Sequence, residues 1–63
     1  MSKETEALTT LADKTLMSLS DAVSKARWKL SNGETELNNE LDAINWHGAV
    51  ARQQITKLNN MMA

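Results

Sequence analysis

The sequence predicts an all-α fold, an antiparallel two-helix hairpin with a coiled-coil-like seam. Three observations predict it: a helix-favouring composition, apolar residues recurring at spacings of three and four, and one turn signal near the middle. The 63-residue chain has no Pro, two Gly, and neither Phe nor Tyr. Ala, Leu, Lys, Glu, Met and Gln supply much of the rest, and these residues lose little rotamer freedom in a helix.

The first apolar row runs Leu8, Ala12, Leu16, Leu19, Val23, Ala26 and Leu30. The second runs Leu37, Leu41, Ile44, Gly48, Ala51, Ile55, Leu58 and Met62. Both keep the period of a helix that lays one narrow stripe on a partner, not the alternation of a strand. They predict one helix over about residues 4–30 and another over about 34–60.

Between the rows lies Ser31-Asn32-Gly33-Glu34. Asn-Gly supplies the left-handed conformation that stops a helix, which places the turn at 31–33. Ser31 followed by Glu34 fits a capping box for the second helix. Charge placement points to the same break. Lys25, Arg27 and Lys29 crowd the end of the first helix, and Glu34, Glu36, Glu40 and Asp42 open the second, each where the helix dipole favours that sign.

A turn this short makes the helices antiparallel neighbours. Counting outward from it sets Leu30 by Leu37, Ala26 by Leu41, Val23 by Ile44, Leu19 by Gly48, Leu16 by Ala51 and Ala12 by Ile55, with Leu58 further along the same row. Large faces small in four of these pairs, so Gly48 is expected to sit in the hairpin seam, where its missing side chain admits Leu19.

With that seam assigned, Trp28 and Trp46 fall opposite it. Ala43, Ala49 and Val50 surround Trp46, and Leu8, Leu11 and Met17 also lie off the strict seam. Tryptophan is enriched at interface hot spots, and contiguous exposed apolar surface marks association. Trp28, Ala43, Trp46, Ala49 and Val50 are therefore the candidate protein-interface residues. Size supports association too, since a chain this short draws only roughly 3–5 kcal/mol from its own core. There is no Cys and only one His, so disulfides and metal are not the expected remedy. Assembly into a homodimeric four-helix bundle is the simplest one left.

The sequence offers little chemistry. His47 is the only imidazole, and its helical neighbours Ala43, Ile44, Val50 and Ala51 cannot assist acid–base work. Glu36, Glu40 and Asp42 spread round the helix instead of converging, and no phosphate-binding glycine loop is present. We expect no enzyme, no cofactor and no metal. Lys25, Arg27, Trp28 and Lys29 mix cations with an aromatic, the ingredients of a small nucleic-acid-binding bundle, but a net charge of −1 builds in no general attraction to nucleic acid. No apolar run is long enough to span a bilayer, and the opening MSKETEA lacks the apolar stretch of a signal peptide. A cytoplasmic protein is expected, with signal-independent export left open.

The stretch from Leu41 to Ala51, and Trp46-His47-Gly48 in particular, resembles the signature of the WXG100 (Esx-type) helical hairpins. That resemblance implies dimerisation and secretion by a type VII machine. The family turns its chain at Trp-x-Gly, whereas the turn signals here lie at Ser31–Glu34. The expected function is a helical interaction module acting by self-association or by docking on a partner protein, in a structural, adaptor or regulatory role.

Overall fold

The computed structural model of the chain describes residues 2–62. Helix α1 spans Lys3–Ser31 and helix α2 spans Asn38–Met62, packed side by side in a Cα envelope of 47 × 14 × 14 Å. The chain is an all-α hairpin.

Helix α1 begins where Ser2 takes an extended backbone and its Oγ accepts the Thr5 N–H at 3.1 Å. This satisfies one of the donors that a helix start leaves free. Thr9, Thr10 and Thr15 donate their hydroxyls to the carbonyls of Thr5, Glu6 and Leu11, four residues back. A β-branched polar residue is thereby accommodated without leaving a free hydroxyl.

The helix ends in a Schellman motif centred on Gly33, the only described residue with a left-handed backbone, at φ +78°. Its N–H donates to the Leu30 carbonyl at 3.1 Å, and the Glu34 N–H reaches back to the Lys29 carbonyl at 2.9 Å. The Asn32 side-chain amide closes a third carbonyl, that of Trp28, at 2.7 Å. This geometry corrects the expected start of the second helix. Glu34 is tied to the end of α1, so it cannot serve a capping box with Ser31, which is itself the last residue of α1. Residues 34–37 cross over without helical structure, and α2 starts at Asn38, about four residues later than expected. The Leu37 carbonyl accepts its first helical bond, from the Leu41 N–H at 2.8 Å.

The seam differs from the expected one in rotation. Along α1 one covered row runs Thr5, Leu8, Ala12, Thr15, Leu19, Ala22, Ala26 and Lys29, and from Leu37 through α2 another runs Leu37, Glu40, Ile44, His47, Ala51, Gln54 and Leu58, with Ser18, Ala43, Gly48 and Val50 half-buried beside these rows. Both keep an unbroken three–four repeat. Leu19, Leu37, Ile44 and Leu58 are half-buried here and Ala51 is buried. Leu16, Val23, Leu30, Leu41 and Ile55 are exposed, so their expected place in the seam is corrected. In each case the neighbour one residue earlier turns inward instead: Thr15, Ala22, Lys29, Glu40 and Gln54.

The physical reason is backbone approach. Ala12, Ala22, Ala26 and Ala51 are the buried apolar residues, and a row of small side chains lets two helices come closer than Leu-for-Leu packing would. Gly48 is corrected as well. A Cβ built on it meets no atom within 4 Å, so the glycine is not needed to admit Leu19 or anything else in the hairpin.

Candidate interaction surfaces

Rotation of the seam gives the hairpin two unlike broad sides. One side carries two shallow grooves, each walled by both helices. Ser18, Ala22 and Lys25 face Glu40, Ala43 and His47 in the first, and Leu8 and Leu11 face Gln54 and Lys57 in the second. Ser18, Lys25 and Leu11 on α1 and Ala43 and Lys57 on α2 each directly precede an inward-facing residue, the same rotational sense on both helices, while Arg52, which follows Ala51, also reaches the second groove. The residues that follow the inward row, Leu16, Val23 and Leu30 on α1 and Leu41, Gly48 and Ile55 on α2, must therefore share the opposite side.

That opposite side is apolar along its centre. The five aliphatic side chains on it are 38–56 % exposed, although each lies next to the seam. The grooved side is charged. Lys29 crosses from α1 to bond the Glu40 carboxylate at 2.9 Å, and Asp21, Lys25 and Lys57 stand near the grooves. The hydrogen bond from Lys29 holds the Glu40 carboxyl below its ordinary value of 4.5. The same bond, reinforced by Glu34 and Glu36, holds Lys29 above 10.5. This cross-helix pair escaped the sequence reading because both residues had a sufficient local account as charges complementing helix dipoles. Oε1 of Glu40 and Oε1 of Gln54 are covered without a hydrogen-bond partner, which marks the inward polar row of α2 as imperfectly satisfied by two helices.

His47 gains neighbours that its own helix could not give it. Ser18, Asp21 and Glu40 line the same groove. Among the described residues no hydrogen bond joins the imidazole to any of them. The described residues also contain no cluster of three His, Cys, Asp or Glu placed to hold a metal.

The candidate interface residues are spread over more than one surface. Trp28 and Trp46 are exposed, at 64 % and 68 %. Trp46 and Ala49 share a shallow surface with Asp42 and Asn45 on the outer flank of α2, while Ala43 lies at the groove and Val50 is half-buried. Trp28 lies on α1 and the other four on α2. The cations beside it also diverge: Lys29 is paired across the seam, Lys25 lines the groove, and Arg27 is exposed on the other side. A nucleic-acid contact built from the four together is not what this geometry presents. Trp46-His47-Gly48 lies within α2, and the chain reverses at Asn32–Leu37 instead. No helix among the described residues is long and apolar enough to cross a membrane. No protein family, curated protein or solved structure matches this chain.

Proposed function

We propose that this chain is a non-enzymatic helical interaction module that acts by packing its exposed apolar helix surface against other helices, most simply by self-association. One observation carries the reading: packing two helices together leaves every large apolar side chain at least partly in contact with water. The buried apolar residues are four alanines, and no large side chain falls below 2 % exposure among the described residues. Burial stabilises by about 25 cal/mol per Å² of apolar surface, so a seam of alanines contributes little against the roughly 1–2 kcal/mol of backbone entropy lost per ordered residue. A second layer of helix would cover the leucines and isoleucine that the first layer leaves outside.

The test is the solution mass by light scattering after size exclusion, over a concentration series. The reading expects a defined species of twice the 7.0 kDa chain mass or more, with helical circular dichroism. A single chain-mass species, fully helical at every concentration, would overturn it.

A further inference from the structure

Leu16, Val23, Leu30, Leu41 and Ile55 form an apolar centre on one broad side of the hairpin, with Gly48 between the last two. Resting on the association reading above, we propose that this side is covered by the same side of a second copy of the chain, giving a two-fold four-helix bundle with Gly48 near its middle. Three observations select this occupant.

The first is area. Two helices side by side, each ~10 Å across, over the 47 Å length of the hairpin present roughly 900 Å². A stable interface of standard size takes about 800 Å² from each partner. One hairpin fits another with no surface left over.

The second is charge. The rim of this side carries Glu6, Asp13, Arg27 and Arg52, two of each sign, and otherwise only Asn and Ser; Arg52 also lines the second groove. Two-fold symmetry can lay the side on itself in two ways. With the turns at opposite ends α1 meets α1 reversed about Ser20, and Asp13 comes beside Arg27 of the other copy. With the turns at the same end α1 meets α2, and Asp13 comes beside Arg52. Either way the acid finds an arginine twice, so the rim is complementary to itself. An acidic or a basic partner would leave half of these charges opposed.

The third is Gly48. Glycine inside a helix is unfavourable relative to Ala, and here the hairpin supplies no compensation, because a Cβ at this position would meet open space. A backbone or bulky side chain approaching from outside would give the missing side chain a use. The apolar pattern on α2 is symmetric about it. Reversing the helix about Gly48 exchanges Leu41 with Ile55. Reversing α1 about Ser20 sets Leu16 on Ser24, next to Val23. The first groove brings Ser18 and Ala22 beside Ala43 and His47, so both centres lie at nearly one height along the hairpin.

The test combines mass with contacts. Leu41→Glu is expected to raise the dimer dissociation constant by about tenfold or more, since it sets a carboxylate in the apolar centre. Trp46→Ala, off this side, is expected to leave the constant unchanged. Because Leu41→Glu could instead leave the chain unfolded, the deciding measurement uses the unaltered sequence: isotope-filtered NOEs in a mixture of labelled and unlabelled chains. Intermolecular NOEs among the methyls of Leu16, Val23, Leu41 and Ile55 are expected. Intermolecular NOEs confined to Trp46, Ala43 and Val50, with association lost in Trp46→Ala and kept in Leu41→Glu, would overturn this face and leave the association reading standing. A folded chain that stays monomeric would overturn both.

Discussion

Replacing Gly33 by Ala isolates the turn from everything else in the molecule. The residue has φ +78°, and a Cβ built on it meets nothing within 4 Å. The cost of Gly33→Ala is therefore conformational, with no steric clash to add. An L-residue held in the left-handed region loses about 1 kcal/mol relative to Gly, and this outweighs the reduced entropy of the unfolded chain. Two hydrogen bonds depend on that conformation, from Gly33 to Leu30 and from Glu34 to Lys29. With a urea slope of about 1–3 kcal/mol/M, the midpoint of unfolding should fall by roughly 0.3–1 M. Gly33→Asn should fall between the two, because Asn tolerates the left-handed region better than Ala. The assay is urea unfolding followed by circular dichroism, at one fixed protein concentration for all three chains. An unchanged midpoint for Gly33→Ala, or the order Ala above Asn, would refute the argument that the chain reverses through a left-handed Gly33.

The other predictions follow from the seam and its surroundings. Glu40 is held below 4.5 by Lys29, so its contribution to stability is present above pH 4.5 and is lost as pH falls through its lowered value. Lys29 is held above 10.5, so its contribution is present below pH 10.5 and disappears as pH rises through its raised value. Urea midpoints measured against pH should show the acid loss in the unaltered chain and a shallower one in Glu40→Gln; parallel curves would remove the pair from the account. Both tryptophans should emit as water-exposed indoles and stay open to acrylamide quenching even in the associated state, and Trp46→Ala should shift stability by no more than about 0.5 kcal/mol. A blue-shifted emission at high concentration would contradict that. Gly48→Leu should leave the isolated hairpin unhindered, because its Cβ enters open space, yet weaken association by propping the copies apart. Tighter association of this variant, by sedimentation, would count against a close approach at Gly48.

The fold class was legible because its signals are local. Apolar spacing gives helices without any knowledge of the partner, and Asn32-Gly33 gives the reversal from two adjacent residues. The start of α2 was not legible in the same way. Ser31 and Glu34 have the spacing of a capping box, but the Schellman motif at the end of α1 uses the Glu34 N–H first. The seam shows where hydropathy runs out. From Ala12, Leu19, Ala26 and Leu37 a helical row can continue to either the third or the fourth residue. Hydropathy prefers the fourth at Leu16, Val23, Leu30 and Leu41, and the structure turns the third inward, at Thr15, Ala22, Lys29 and Glu40. Small side chains and a cross-helix ion pair decide that choice, and neither is visible until the two helices are aligned. The same holds for His47, whose neighbours Ser18 and Asp21 come from the other helix. A single row of sequence displays three apolar lanes on each helix; which lane meets the sister helix and which remains for a second layer is a property of the pair.

The claim that two helices alone do not hold this chain folded is tested most directly by its melting temperature as a function of protein concentration. In a protein stabilised by association the folded state loses ground on dilution by mass action. The account predicts a melting temperature that falls steadily from about 100 μM to about 1 μM, with helical signal lost at the dilute end. A sharp melt at one temperature across that whole range would show that the alanine seam suffices, and would contradict it.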